Sequence, residues 1–449
     1  MAANELLEAN TQADATLGLG RSRTRLSRKD NVLYVVYFLP IFFLIRLVTV
    51  LLVVTRFNRL VATAHRMLEI KDRVLYLEVF FPENAGFHYR VQKWIEVLAE
   101  RGFTADAMYV FERERQEALL RDQRMVLFHT VFLLRRLGHC IAAMGYNCII
   151  VRRELLLYND YGDLFLERFL LAVHPNVILD FDDDISAAKR EPRNPTFYGR
   201  FMRESPSKFG DTMKLYRRFI AGSNFLKSFV LEANPGVRPE DVVVIPTCVD
   251  YEKHALKMQT DDSECVNFGW IGSNATIGYL DIVIPALSEI AKRRKIRLIV
   301  VSGQDCKADV DFEIVNIPWS LKNEIEDLTR IDIGLMPLYD TAAEKGKCGF
   351  KLIQYMGLGI VSIASDVTVN SDIIDDKQNG FLVRSECDWV NVIEEALARV
   401  EEFPAIGLAA RKKIRDHFSF EANKEKYFSF IEAPPFESRE RNQGRKPAR

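Results

Sequence analysis

Twice along this chain, a short apolar run, a loop and an amphipathic helix follow one another and then recur, and that alternation decides the fold class. The first cycle opens at residues 73–80, Arg-Val-Leu-Tyr-Leu-Glu-Val-Phe, a run whose β-branched and aromatic residues predict a strand. A loop to Gly86 follows, then a predicted helix over 89–101 with Val91, Trp94, Ile95 and Leu98 at helical spacing and Gly102 as its stop. Further strands are predicted at 107–111, 148–151, 177–180, 219–222 and 242–245, with 112–145 helical and Pro246 as a hinge. The second cycle starts with a strand at 266–271, a loop at 272–276, a helix to Arg294 and a strand at 296–301. Helix 320–329, strand 331–336, helix 350–358 and strand 360–364 continue it. Strands that alternate with helices form a parallel sheet covered on both faces. The sequence therefore predicts two Rossmann-like, doubly wound domains, at 72–245 and 246–418, followed by a C-terminal helix at 419–433 and a flexible tail at 434–449. A length of 449 residues agrees with two domains plus extras, at roughly 100–200 residues each.

Ahead of these domains the chain changes character. Residues 1–30 are polar and then basic, which predicts disorder, with Arg21, Arg23, Arg25, Arg28 and Lys29 at their end. Residues 32–54 are apolar apart from Pro40, Arg46 and Thr49, within a membrane-associated segment at 31–56. As one helix that run measures about 34 Å, enough to cross a hydrocarbon core. An arginine at its middle costs roughly 2.5–3.5 kcal/mol, which the surrounding apolar residues offset. Basic residues flank both ends, Arg56, Arg59, Arg66, Lys71 and Arg73 on the far side, so orientation is not fixed by charge. The same symmetry suits a segment that dips into one leaflet, with Pro40 as its break. A cleaved signal fits less well despite Ala62-Thr63-Ala64, because the run is too long and starts late.

Net charge is −1, which provides no global field for nucleic acid. The seven cysteines are odd in number and none forms a C-x2-C pair, which argues against a zinc site or a disulfide framework and suits a reducing compartment.

Ligands of doubly wound sheets bind beyond the carboxyl ends of the strands, and three loops there carry polar chemistry. In 270–280, Gly272 and Ser273 lie between strand and helix, where amides and a helix N-terminus meet an anion; Ser273 or Thr276 adds a hydroxyl. The alternative for those two hydroxyls is ordinary helix capping. In 345–359, Gly349 precedes a helix whose first turn bears Lys351. With Lys347 it offers positive charge to a pyrophosphate where the helix dipole alone disfavours lysine. Gln354, one turn on, faces the same side and is placed to hydrogen-bond ribose hydroxyls. The third loop, Asp180-Phe-Asp-Asp-Asp184, contains a D-x-D, yet arginine pairing and capping account for it better than a metal does. Arg152, Arg153 and Glu154 follow a neighbouring strand and are placed to orient an acceptor or a leaving phosphate.

At these loops the sequence resembles glycosyltransferase family 4, the retaining GT-B enzymes that use nucleotide sugars. The resemblance is carried by 332–340, 346–356, 361–370 and 379–382, and upstream by 270–273, 245–250, 153–155 and 180–183, in the same order. It covers about residues 72–430 and implies a GT-B fold of two domains facing a cleft, no metal, and net retention at the anomeric carbon. It implies a UDP- or GDP-linked donor as co-substrate, with no separate cofactor, bound by Gly272, Ser273, Thr276, Lys347, Gly349, Phe350, Lys351, Gln354 and Asn370. It implies an acceptor near Gly86, Tyr89 and Arg90. Lys351 is the expected electrostatic element of catalysis, with Arg153 and Asp182 as further catalytic candidates. Many relatives carry an E-x7-E pair, whose acids fall here at Gly346 and Gln354, so the roles of that pair do not carry over. The expected acceptor is lipid-linked or a glycan, reached from a membrane-associated protein with its domains in the cytoplasm. A sugar-nucleotide-binding membrane scaffold without turnover, a GT-B epimerase and a two-domain periplasmic binding protein are the competing readings.

Overall fold

The computed structural model describes residues 32, 34–122, 125–156, 164–183, 208–253, 256–257 and 265–433. The basic stretch within 1–30, Asp184 and the tail 434–449 lie outside them. The chain divides into two compact units, one reaching to Ile245 and taking up the chain again at Lys424, the other spanning Pro246–Asn423.

The first unit is built on six parallel strands: β1 (Arg73–Leu77), β2 (Thr104–Met108), β3 (Cys148–Arg152), β4 (Val177–Phe181), β5 (Phe219–Ala221) and β6 (Val242–Val244). Their order is β2-β1-β3-β4-β5-β6, with Val74 opposite Cys148 and Ile149 opposite Val177. The central strands β3 and β4 are buried along their whole length, which is why they read as unbroken apolar runs. Strand order reverses between β1 and β3, so the switch point of the sheet lies at their carboxyl ends.

Two helices precede this sheet. A π-helical turn, Tyr34–Phe38, leads into α1 (Leu39–Val54), so Pro40 falls in the first turn, where its missing N–H breaks no helical bond. Arg56, in the left-handed region at φ 52°, turns the chain into α2 (Phe57–Met67). Between β1 and β2, α3 (Lys93–Glu100) buries Trp94, Val97 and Leu98. Helix α1 rests on α4 (Phe165–Val173) through Phe42, whose ring meets Phe165 edge-on at 4.7 Å between centroids. Phe38, Phe42 and Ile45 are buried, whereas Leu44, Leu47, Val50, Leu51 and Val54 are exposed. The segment is therefore not a core helix.

The second unit repeats the plan with β7 (Val266–Ile271), β8 (Ile296–Ser302), β9 (Glu313–Pro318), β10 (Ile333–Met336), β11 (Val361–Ser365) and β12 (Phe381–Val383), ordered β12-β11-β10-β7-β8-β9 and all parallel. Its switch point lies between β7 and β10. Helix α5 (Leu280–Ala291) follows β7, and α6 (Phe350–Gly357) follows β10. The helix predicted to run from the 272–276 loop to Arg294 begins instead as a 3-10 stretch, Asn274–Tyr279. Strands β9 and β12 are additions to the predicted set. The last helix, α7 (Phe420–Glu432), carries the chain from the second unit back to the first, where Tyr427 stacks on Trp94 at 4.0 Å and shares a 2.5 Å hydrogen bond with Tyr76.

Candidate functional site

At the β7/β10 switch point of the second unit, close packing leaves space only for particular residues. Strand β7 ends on Trp270, which is wholly buried, and Ile271. A Cβ placed on Gly272 would lie 2.4 Å from the Trp270 ring and 2.9 Å from Lys351 Cε, so glycine is required there. The amide of Gly272, expected to face an anion, instead donates to Val301 O at 3.1 Å. Lys351 reaches over the Trp270 ring, Nζ 5.2 Å from its centroid, a cation–π approach that fixes the lysine stem beside the glycine loop. Tyr355, one turn further along α6, accepts the amide N–H of Ile271 at 2.8 Å. Gly334 makes this possible, because a Cβ there would collide with the Tyr355 ring at 2.4 Å. Burial pushes the Tyr355 phenol up, so it remains a neutral hydroxyl.

Helix α6 starts from Gly349 at φ 66°, a conformation that glycine adopts without strain. A Cβ there would also strike Ile373 at 2.5 Å and lie 3.7 Å from Asn370 Oδ1. Asn370 is fully buried; its Nδ2 donates to Ser365 O at 3.0 Å, while Oδ1 has no partner. An orphaned acceptor beside the N-terminus of α6 marks a place where a donor group on a ligand would be satisfied. Ser273 is exposed, makes no capping bond, and its hydroxyl lies 3.4 Å from that of Thr276, which donates to Ser273 O at 3.0 Å. Lys347 is half-buried, and Phe350 packs its ring onto the core beneath α6. The sequence thus names side chains that the fold brings together at two points, Gly272 with Lys351 and Gly349 with Asn370. Gln354 departs from its reading: it is buried, and its Nε2 is taken by Glu324 at 2.7 Å.

The first unit carries a charge network at its own switch point. Arg152 ends β3 and Arg153 follows it, Asp180 lies in β4 with Asp182 and Asp183 just beyond its end, and Glu78 follows β1. Arg152 donates to Asp182 at 2.6 Å, and Arg153 donates to Asp182 at 3.0 Å and Asp183 at 3.3 Å. Burial would raise the Asp182 carboxyl, but Arg152, Arg153 and Arg90 outweigh it and hold it well below the usual range. Burial pushes the Glu78 carboxyl up in spite of Arg152. Arg153 adopts φ 63°, a strained backbone for a non-glycine residue, and its side chain is 22% exposed. Arg90 is a correction. It was expected to meet an acceptor, but it is buried, paired with Asp180 and donating to Ile245 O at 2.8 Å, so it ties structural elements together. Tyr89 is also buried, whereas Gly86 is half-buried and its amide is capped by Asn84 at 2.8 Å. Among the described residues, no group of three His, Cys, Asp or Glu side chains converges as a metal site.

Residues 266–399 match the family model described as Glycosyl transferases group 1. Among solved structures, the chain is similar to a glycosyltransferase from Rickettsia africae (14% identity, 80% of this chain and 97% of that one, TM-score 0.54). It is similar to the sucrose-phosphate synthase from Thermosynechococcus elongatus (13%, 80% and 97%, 0.56) and to Anabaena HepE in complex with UDP and glucose (13%, 80% and 98%, 0.51). No curated protein matches the sequence. With its two six-stranded parallel sheets, the chain has the GT-B fold. It is a glycosyltransferase whose second unit, over 266–399, is of the group 1 type.

Proposed function

We propose that the protein moves a sugar from a UDP- or GDP-linked donor to a lipid-linked or glycan acceptor at a membrane, with retention at the anomeric carbon. The observation that carries this reading is Lys351, fixed against Trp270 and Gly272 in the first turn of a helix that starts at a left-handed glycine. In this reading the donor diphosphate lies against Gly272, Ser273 and Thr276 and the first turn of α6, with Lys347 and Lys351 as its cations. Asn370 Oδ1 accepts from a sugar hydroxyl. The C1–O bond to the β-phosphate breaks, the acceptor oxygen forms the new bond to C1, its proton is released, and the nucleoside diphosphate departs. Negative charge grows on the β-phosphate, and a lysine and amides already in place stabilise it without reorganising. Arg153, the strained and partly open arginine of the first unit, is the candidate that orients the acceptor near Gly86, with Asp182 holding its guanidinium. The complexes of HepE with UDP and with UDP-glucose make UDP the first probe.

Membrane association belongs to the same reading. The exposed apolar side of α1 and the absence of any acidic residue between 32 and 68 support it, with Arg46, Arg56, Arg59 and Arg66 as the charges there. A helix that buries Phe42 and Ile45 and touches α4 through Phe42 suits a segment lying in one leaflet, its other side facing lipid.

The test is a screen of UDP- and GDP-sugars by thermal shift and nucleotide release. The wild type binds and turns over one of them, and Lys351→Ala loses at least about 100-fold in kcat/KM, the scale of a removed transition-state donor. Folded protein that neither binds nor turns over any donor in the presence of membrane lipids overturns the reading.

A further inference from the structure

We infer that the lipid-facing surface is not confined to the N-terminal helices but continues onto the helix Met125–Ala142, so that the first unit lies on an anionic membrane by one helical face of its own sheet. This extension rests on the membrane reading above.

The helix Met125–Ala142 lies between β2 and β3 in the chain, and α4 lies between β3 and β4. Strand order runs β2-β1-β3-β4, so both crossovers travel the same way across the sheet, and right-handed connections put both helices on the same face. There the two helices touch, and α1 rests on α4 in turn. The turn Tyr34–Phe38 that leads into α1 touches the helix Met125–Ala142. Helix α2 is tied just beyond the far end of that helix, where His65 Nε2 meets Met144 O at 2.7 Å. The N-terminal helices and the helix Met125–Ala142 therefore belong to one continuous face.

The two sides of the helix Met125–Ala142 differ. Phe128, Phe132, Leu133 and Cys140 are buried. Leu127, Leu134 and Ile141 recur every seven residues, about two turns, and form one outward stripe in which they are 47%, 48% and 49% exposed. Charge indicates what covers this stripe. The chain has 62 acidic residues, yet α1, α2, α4 and the helix Met125–Ala142 together carry only Glu167, which is buried. The exposed charged residues of these helices are Arg46, Arg59, Arg66, Arg135 and Arg168. An apolar stripe bordered by arginines alone fits the headgroup and acyl boundary of an anionic lipid surface. A second copy of this chain, meeting the same patch on itself, would instead set arginine against arginine. A unit lying on lipid by this face keeps the carboxyl ends of β3 and β4, where Arg153 lies, at its side and open to an acceptor held in the membrane.

The test uses the full chain and vesicles of phosphatidylglycerol or phosphatidylcholine, with flotation and thermal stability read together. Leu134→Glu with Ile141→Glu leaves α1 and α2 unaltered. It should lower partition into phosphatidylglycerol vesicles at least about tenfold with the melting temperature unchanged. Leu134→Trp keeps the face apolar and reports contact directly. Brominated phosphatidylglycerol should quench the introduced indole beyond the quenching seen in the wild type, whose Trp94, Trp270 and Trp389 are buried. A folded double variant that partitions like the wild type overturns the inference, and so does an introduced indole that brominated lipid leaves unquenched; either result leaves α1 as the anchor by itself. Self-association of the wild type that disappears in the double variant assigns the stripe to a second copy and overturns it as well. No binding of the wild type to either vesicle removes the membrane reading itself, and this extension with it.

Discussion

Single residues in this protein are decided by what surrounds them more than by their type. Asp180 lies in β4 with Asp182 and Asp183 just beyond it, and Arg152, Arg153 and Arg90 pair with them. Asp182→Asn removes one charge from this buried set and leaves Arg152 and Arg153 short of a partner. The expected loss is about 3–5 kcal/mol at pH 7, the cost of breaking a buried pair. The sign of its pH dependence follows from the lowered carboxyl. The stabilising contribution of Asp182 is present above the usual aspartate value of 3.8 and disappears as pH falls through its depressed value in the folded protein. The gap between variant and wild type in denaturant melts should therefore be full from pH 5 to 7 and narrow only in strong acid; a gap that widens on acidification would contradict this account. Gly272→Ala makes a different demand. A Cβ between Trp270 and Lys351 forces both aside, at a cost of about 1–3 kcal/mol. It is expected to reduce turnover far more than it reduces the melting temperature, and an alanine variant with normal turnover would remove Gly272 from the site.

At the scale of elements, helix α6 joins the lysine, the tyrosine and the glutamine into one rigid unit. Tyr355→Phe tests whether that unit positions the glycine loop. The variant leaves the amide of Ile271 buried without its acceptor, at about 1–3 kcal/mol. The account expects a raised donor KM with a smaller change in kcat, measured by steady-state kinetics; unchanged KM with lowered stability would make the bond purely structural. Most of these elements could be read from the sequence, because interior parallel strands such as β3, β4, β7 and β8 are unbroken apolar runs. The misreadings cluster at sheet edges. Strand β2 was expected at 107–111 and lies at Thr104–Met108. As an edge strand it is half-exposed and polar, so the apolar Val110 and Phe111 beyond it drew the pattern downstream. Strand β9 is the other sheet's edge, half-buried and closed by Pro318, and β12 is only three residues long. Tight backbone positions were legible where only glycine fits, as at Gly272 and at Gly349 with its φ of 66°. Pair partners were not, since nothing in the spacing of Glu324 and Gln354, 30 residues apart, indicates that they touch. Arg90 was misread for the same reason.

Among the described residues, the chain is organised by two sheets and passes between the units at Pro246 and within α7. The second crossing returns Tyr427 to Trp94, so the last helix contributes to the core of the first unit. The N-terminal helices add a surface of a different kind. On this face Leu47 and Val50 are 69% and 61% exposed. The full chain is expected to float with vesicles containing phosphatidylglycerol and less with phosphatidylcholine alone, through apolar insertion helped by arginines. Leu47→Glu with Val50→Glu should abolish flotation without altering donor binding. Equal flotation by that variant, or no flotation of the wild type, would remove this surface from the account.

The central claim is transfer itself, and it is tested most directly by following a radiolabelled sugar. Wild-type protein is incubated with labelled UDP- and GDP-sugars and a membrane lipid extract, in parallel with Lys351→Ala. The account predicts label in the lipid or glycan fraction matched by released nucleoside diphosphate, with both lost in the variant. Donor bound tightly by the wild type, with no label transferred and no nucleotide released, would contradict it.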